Sequence, residues 1–89
     1  MKTIFKYPIE ITDKQILMLP EGAEILTVQV QNGSPVIYAL VDDDTNLFVK
    51  HNIEIYGTGH TLRNPEALKY IGTFQSVHGS FVGHIFEIK

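Results

Sequence analysis

The chain has 89 residues, 7 basic and 10 acidic, with a net charge of −3 and no cysteine. A chain this short builds one core, so we predict a single domain, residues 1–89. The lack of cysteine excludes disulfides and thiolate zinc sites, and the acidic balance leaves no basic field for a nucleic-acid backbone. No apolar run approaches the ~20 residues of a membrane span. We therefore expect a globular protein of the cytoplasm, without nucleic-acid or membrane partners.

The hydrophobic pattern predicts an all-β fold. Strands are expected in residues 3–11, 15–19, 24–31, 36–41, 47–56, 69–75 and 81–88, separated by polar and glycine-rich turns. Asn32-Gly33 is the strongest hairpin signal, because both residues tolerate the positive φ of a type I′ turn. One turn of helix is expected at residues 64–68, with Asn64 as its N-cap and Pro65 in the first position. The fold class is a compact antiparallel sandwich or barrel of six to seven strands with at most one short helix.

Alternation also predicts which side chains share a face. In the first, third and fifth strands one set of alternating side chains is expected to share a face and to face the core. The three sets are Phe5, Tyr7, Ile9 and Ile11; Leu26, Val28 and Val30; and Leu47, Val49, His51, Ile53 and Ile55. The apolar run at residues 36–41 does not alternate, so we expect cover on both of its faces.

The most distinctive segment is the run from Tyr56 through Gly57, Thr58 and Gly59 to His60. Two glycines around a threonine let the backbone bend and expose amide donors, which is the geometry of an anion nest. Arg63, the only arginine of the chain, follows closely and offers a bidentate fork for phosphate. This segment lacks the features of a Walker or Rossmann loop, and an ordinary strand connection is the alternative interpretation.

A second candidate lies in the strand that contains Gly72. Tyr70, Gly72 and Phe74 are expected to share one face, so that two aromatic rings flank a gap in which a flat ring could lie. A glycine in mid-strand also indicates a bulge, a bend or ordinary core packing. The predicted ligand-binding residues are therefore Tyr56, Gly57, Thr58, Gly59, His60, Arg63, Tyr70 and Phe74.

Metal and catalytic sites find little support in the sequence. The four histidines show no metal-binding spacing, and His51 and His84 are expected to be half-buried, hydrogen-bonded residues. Asp42, Asp43 and Asp44 are expected to form a solvated hairpin tip, because calcium needs more oxygen ligands than this turn supplies. His78-Gly79-Ser80 matches only half of a paired phosphoesterase motif. We expect no catalytic residues, no metal and no cofactor.

Several segments carry a resemblance to a known family. They are Lys6-Tyr7-Pro8, Pro20-Glu21-Gly22-Ala23, Tyr56-Gly57-Thr58-Gly59-His60, Tyr70-Ile71-Gly72-Thr73-Phe74-Gln75 and His84-Ile85-Phe86-Glu87. In their order and spacing they resemble a small uncharacterised family encoded mainly by phages and prophages. The resemblance gives no activity, but its phage context implies a location in the host cytoplasm. By analogy of size and context, this favours stoichiometric binding, as in the oligomeric phage proteins that sequester nucleotide immune signals.

Three functions are compatible with these observations. The first is a non-enzymatic, homo-oligomeric protein that sequesters a small anionic or nucleotide-like ligand, with pockets near a subunit boundary. The second is a protein–protein interaction module, an inhibitor of a host protein or a virion accessory protein, which uses a strand edge or an apolar face. The third is a small nucleotide phosphodiesterase built around His60 and His78, which the missing second motif disfavours.

Overall fold

The chain folds into seven strands and one 3₁₀ turn in a computed structural model that describes residues 1–76 and 79–89. The strands are β1 Lys2–Pro8, β2 Lys14–Pro20, β3 Glu24–Gln31, β4 Ser34–Asp42, β5 Phe48–Gly57, β6 Leu68–Gln75 and β7 Val82–Ile88, with the 3₁₀ turn Pro65–Ala67 before β6. The predicted all-β fold with at most one short helix is confirmed. Within the described ranges, no helix has the length and apolar character that crossing a membrane requires.

The strands form two antiparallel sheets, in the orders β1-β4-β3 and β2-β5-β7-β6. Both sheets contribute to the main hydrophobic core, which contains Ile9, Val28, Ile37, Ile53, Ile55, Phe74 and Ile85. A smaller cluster of Leu19, Ala39 and Val41 joins β2 to β4. The buried layer between the sheets is therefore what holds them together, and each sheet keeps an outer face.

The β3–β4 hairpin forms as predicted. Gln31 pairs with Ser34, and the two residues between them have positive φ angles, 52° at Asn32 and 81° at Gly33. These angles are those of a type I′ turn, whose twist matches that of the strands. The apolar run that follows lies in β4, the central strand of its sheet, where Val36, Ile37, Ala39 and Val41 are buried.

The prediction of one buried face in the first strand is wrong at both ends, at Phe5 and at Ile11. β1 ends at Pro8 rather than at residue 11. The Ile9 amide still donates to the Pro35 carbonyl, and the chain then turns toward β2. Ile9 is buried, whereas Ile11 in the turn is exposed. Phe5 is also exposed, since β1 is an edge strand and borders only β4.

The predictions for the third and fifth strands are correct only in part. A bulge between Ile25 and Thr27 takes Leu26 out of the alternation, and Leu26 is exposed. Val28 and Val30 lie on one face as predicted, but only Val28 is buried, because Val30 lies near the hairpin end of the strand. In the fifth strand, Ile53 and Ile55 are buried and His51 is half-buried. Leu47 and Val49 are exposed instead, because they lie at the end of the sheet, beyond the main core.

The 3₁₀ turn differs from the prediction in its cap. Asn64 adopts a left-handed conformation, with φ 53°, and its side chain makes no capping hydrogen bond. Its carbonyl accepts the Ala67 amide instead, at 3.0 Å. Pro65 occupies the first position as predicted, because its fixed φ suits the start of a helical turn. This turn ends a segment, residues 58–67, that crosses from β5 to β6.

Candidate functional site

The Gly-Thr-Gly segment forms a tight turn at the end of β5. His60 donates its amide to the Gly57 carbonyl at 3.1 Å, and Gly59 in the third position has φ +88°. This combination is that of a type II turn, which requires glycine at its third position. A Cβ on Gly57 would lie 2.9 Å from the His60 ring, so this glycine makes room for the imidazole. The turn geometry therefore explains why both positions are glycine. The His60 amide is already hydrogen-bonded within the turn and is not available to an anion.

The turn places His60 and Arg63 on opposite faces of the sheet. His60 lines a cavity of about 200 Å³ together with Ile55 and Phe81, on the inner side. The Arg63 guanidinium lies 4.9 Å from the centre of the Tyr56 ring, on the outer side. Successive residues of β5 point to opposite faces, so the partners of Tyr56 and of Gly57 are separated. The expected pairing of His60 with Arg63 around one phosphate is therefore not formed.

A buried carboxylate, a tyrosine and the arginine meet on the outer face. Glu54 is 6% exposed and accepts a 2.5 Å hydrogen bond from the Tyr56 hydroxyl. The Arg63 guanidinium lies 3.8 Å from the same carboxylate oxygen, beyond hydrogen-bond distance. Arg63 is thus held by the Tyr56 ring and by the charge of Glu54, and its side chain stays 54% exposed with its fork available.

An aromatic row continues across the face from Tyr56. The Phe86 ring lies edge-on between two tyrosines, with its centre 5.8 Å from that of Tyr56 and 5.5 Å from that of Tyr70. Tyr70, at the end of the row, is 56% exposed. Edge-to-face contacts of this kind hold rings in fixed orientations. The row therefore offers an exposed, oriented ring on the same face as the arginine.

A chain of hydrogen bonds links the turn to Tyr70. The Thr58 hydroxyl lies 2.7 Å from His84 Nε2, and the Thr73 hydroxyl lies 2.9 Å from His84 Nδ1. The Thr73 hydroxyl also bonds the Tyr70 hydroxyl at 2.6 Å. A neutral imidazole donates through one nitrogen and accepts through the other, so these two threonines satisfy His84 completely. His84 therefore positions the turn and Tyr70 relative to each other.

Phe74 does not join this face. A bulge between Tyr70 and Gly72 shifts the register of β6, so that Tyr70 pairs with Phe86 on the outside while Phe74 pairs with Gly83 and enters the core. Phe74 is buried and packs against the Phe81 ring. The expected gap between Tyr70 and Phe74 is therefore absent, although the bulge itself is one of the structures that Gly72 predicts.

Two clefts on the outer face adjoin the buried carboxylate. One has a volume of about 550 Å³ and is lined by Lys14, Gln15, Ile16, Asn52, Ile53, Glu54 and Ile88. The other, of about 220 Å³, is lined by Lys14, Glu54, Arg63, Asn64, Ala67, Leu68 and Ile88. Lys14, Glu54 and Ile88 line both clefts, so the two adjoin, and together they are called the groove. Two cations thus flank a single carboxylate in a groove with apolar walls.

Of the eight predicted ligand residues, four lie together on the outer face: Tyr56, Thr58, Arg63 and Tyr70. The residues of this face that were not predicted are Lys14, Asn52, Glu54, Thr73, His84 and Phe86. One signal could have identified part of them, because Asn52, Glu54 and Tyr56 alternate with the core residues of β5. Polar side chains that alternate with core residues lie on the outer face of the strand, although Glu54 and Tyr56 are themselves buried there.

The other predicted polar residues have structural partners. The carboxylates of Asp42, Asp43 and Asp44 surround the N-terminal ammonium of Met1, at 3.2, 3.2 and 2.5 Å. They are the only acidic or histidine cluster with metal-site spacing in the part of the chain that the structure describes. Among the histidines, His51 pairs with Glu87, as expected for a half-buried, hydrogen-bonded residue. His78 lies outside the described residues.

The environment of Tyr56 predicts a loss of stability at high pH. Burial, and next the hydrogen bond to Glu54, raise the pKa of Tyr56 above its ordinary value of 10.0. A raised folded-state pKa stabilises the fold fully below pH 10, and this stabilisation is lost as the pH rises through the folded pKa. We expect the free energy of unfolding of the wild type to fall more steeply above pH 10 than that of Tyr56→Phe. Urea titrations at pH 8 to 12 measure both curves.

The comparison isolates one group, because both proteins keep Tyr7 and the Met1 ammonium, whose pKa values are also raised. Curves that stay parallel above pH 10 would show that Tyr56 titrates alike in the folded and unfolded states. The buried hydrogen bond to Glu54 would then be absent in solution.

Comparisons with known proteins identify the family and no more. Neither the search of curated proteins nor the search of solved structures found a match. One family model, described as a domain of unknown function (DUF7352), matches residues 1–89. The groove and the aromatic row therefore belong to a chain that is a member of the DUF7352 family.

Proposed function

We propose that this chain is a non-enzymatic, homo-oligomeric protein that binds and sequesters a small anionic or nucleotide-like ligand on its outer face. The observation that carries the proposal is the state of Arg63. Its guanidinium rests on the Tyr56 ring, is half exposed, and makes no side-chain hydrogen bond to any described residue. An arginine held in this way loses little entropy when it forms a bidentate contact with a phosphate or carboxylate.

The groove beside Arg63 supplies the other contacts that a nucleotide-like ligand needs. Lys14 lines the same cleft as Arg63 and supplies a second cation. The Asn52 amide and the Glu54 carboxylate can bond the hydroxyl or amino groups of a sugar or base. Ile16 and Ile88 form apolar walls, and the exposed Tyr70 ring offers a stacking surface nearby. Mixed apolar and polar lining of this kind is typical of ligand sites.

Sequestration rather than turnover is supported by how the polar groups are used. Both ring nitrogens of His84 are engaged by threonines, and the Glu54 carboxylate accepts the Tyr56 hydroxyl. These hydrogen bonds hold both groups within the fold, where His84 positions the turn and Glu54 positions the Tyr56 ring. An immune signal as the ligand stays a prediction, which a suitable panel of ligands tests.

The ligand test uses purified protein with cyclic dinucleotides, cyclic ADP-ribose isomers and ADP-ribose. At least one of them is expected to raise the melting temperature and to be recovered intact after heat release. Arg63→Lys keeps the charge but loses the fork, so we expect its affinity by calorimetry to fall about tenfold or more. The matched control is Lys2→Gln on the other sheet, which should bind like the wild type.

Each other outcome identifies a competing function. If no ligand raises the melting temperature or is retained at stoichiometric protein, the proposal is wrong and the interaction module is favoured. If a cleaved product is released, the chain is an enzyme rather than a sequestering protein. If Arg63→Lys binds as tightly as the wild type, the ligand does not bind at this groove.

A further inference from the structure

The four edge strands of the two sheets are protected to different degrees. An exposed edge carries unpaired N–H and C=O groups, and lysines, proline and bulges are the usual devices that block its pairing with another chain. β1 carries Lys2, Lys6 and Pro8. β3 and β6 each contain a bulge and lie against each other, where a Cβ on Gly72 would meet Val28. Three of the four edges are therefore blocked.

The remaining edge strand, β2, has none of these devices in its centre. Its residues Gln15 to Leu19 carry no charge, and its register against β5 runs without a bulge. Two apolar side chains on its outer face are exposed, Ile16 at 56% and Met18 at 47%. An uncharged, regular edge with exposed apolar side chains is a template for another strand.

The hydrogen bonds at both ends of β2 show which backbone groups point outward. Ile55 donates to the Asp13 carbonyl at 3.1 Å, and Glu21 donates to the Leu47 carbonyl at 2.8 Å. In an antiparallel pair the bonded residues alternate, so the odd-numbered residues of β2 face β5. The N–H and C=O groups of Lys14, Ile16 and Met18 therefore point away from the sheet. Pro20 has no N–H, and its carbonyl accepts the Ala23 amide at 3.0 Å in the turn that follows β2.

We propose that β2 pairs antiparallel with β2 of a second copy of this chain, around a two-fold axis at Leu17. Ile16 of one copy then faces Met18 of the other, and Lys14 faces Pro20. In this register the outward N–H groups of Ile16 and Met18 in one copy meet the outward carbonyls of Met18 and Ile16 in the other. The Lys14 N–H meets the Pro20 carbonyl, which also accepts the Ala23 amide of its own chain. The two sheets of the order β2-β5-β7-β6 become one continuous sheet across the axis.

Charge and shape favour a second copy as the occupant of this edge. The one charged residue of the strand, Lys14, faces an uncharged Pro20 at each end, so no like charges oppose one another. The exposed side chains of Ile16 and Met18 form one apolar patch of four side chains across the axis. A shift by two residues shortens the overlap and places Lys14 against Met18. The proposed register is the one in which the whole strand is paired.

The pairing has a consequence for the groove, which rests on the proposed function. Lys14 and Ile16 line the groove and also belong to the edge. The second copy therefore places its own Met18 and Pro20 beside the open side of the groove. Two grooves lie on the same face, one on each side of the axis. The site becomes deeper than one chain can build.

Mass measurement without any ligand tests the dimer directly. Light scattering on a sizing column should give twice the 10.0 kDa chain mass for the wild type. Met18→Lys places two lysines near the axis and should shift the protein to the monomer, with unchanged circular dichroism. The matched control is Ile4→Lys on the exposed edge strand β1, which should stay dimeric. A monomeric wild type at the highest concentration reached, or a dimeric Met18→Lys, overturns the proposal.

Single cysteines test the register, because the native chain has none. An equimolar mixture of the Ile16→Cys and Met18→Cys proteins should form a disulfide-linked dimer on mild oxidation, since directly paired residues have suitable Cα distances. Each variant alone places its cysteines diagonally, about 7–8 Å apart, and should cross-link poorly. A cross-link of Ile16→Cys alone, equal to that of the mixture, overturns this register.

These tests separate the dimer from the ligand. If the wild type is monomeric but a ligand still raises its melting temperature, the proposed β2 interface is wrong and ligand binding by one chain is retained. If the protein is dimeric but binds no member of the ligand panel, the proposed interface is supported and the proposed ligand class is wrong.

Discussion

Replacing Ile85 by alanine is expected to lower the free energy of unfolding by about 2–5 kcal/mol. Ile85 is 0% exposed and lies in β7 between Ile55 of β5 and Gly72 of β6. It belongs to the core cluster that also contains Val28 and Ile37 of the other sheet. The cavity would thus open in the layer that joins the two sheets, where strands on both sides resist collapse. The whole free energy of unfolding of a native protein is about 5–15 kcal/mol, so this loss is a large fraction of it.

The measurement is a denaturant titration of a graded series. Ile85→Val should cost about 0.5–1.5 kcal/mol, less than Ile85→Ala, because it removes one methyl group rather than three carbons. Ile4→Ala on the exposed side of β1 is the control and should change stability by about 0.5 kcal/mol or less. Equal costs for Ile85→Ala and Ile4→Ala would show that β7 does not face the layer between the sheets.

The order and number of the strands followed from local signals. Period-two alternation, turn residues and the Asn32-Gly33 dipeptide act within a few residues, so they are visible in one sequence. Burial depends on what covers a strand, and that is not local. Phe5 and Val49 alternate like core residues, yet each lies where the opposite sheet provides no cover. In a regular strand the pattern predicts which side chains share a face, while the tertiary structure decides which face is buried.

The candidate site was predictable only where one segment contains it. Tyr56, Thr58 and Arg63 are close in sequence, and they lie on or beside one face as a unit. Glu54 and His84 join them from the outward sides of β5 and β7, and this requires the pairing of Tyr56 with His84. That pairing is long-range, so the sequence contains no direct signal for it. The position of His60 was missed for a different reason, since Gly57 takes its ring to the inner face.

Bulges produced the two largest errors in side-chain placement. One extra residue in a strand inverts the alternation beyond it, and a regular pattern on either side hides the insertion. Leu26 was expected inside and is exposed, because the β3 bulge begins at Ile25. Tyr70 and Phe74 were expected on one face and lie on opposite faces, because the β6 bulge lies between Tyr70 and Gly72. The two bulged edges meet at Gly72 and Val28.

Replacing Gly72 by alanine is therefore expected to destabilise the fold by about 1–3 kcal/mol, through overpacking. A Cβ at Gly72 would lie 2.6 Å from Cγ1 of Val28, which is closer than any normal contact. Val28 is buried and β-branched, so it can rotate away only by giving up its preferred rotamer. The remaining response is to separate β3 from β6 and thereby loosen the contact between the two sheets. Denaturant titration measures the cost.

A double-mutant cycle distinguishes this clash from a loss of backbone freedom. Val28→Ala removes the clashing methyl groups and is destabilising by itself, since it leaves a cavity in the core. In that background Gly72→Ala should cost nothing, or stabilise by about 0.4–1 kcal/mol, because alanine restricts the unfolded chain more than glycine does. An equal cost of Gly72→Ala in both backgrounds would mean that the two side chains do not meet. The close approach of β3 and β6, which protects both edges, would then be wrong, and β2 would no longer be the one unprotected edge.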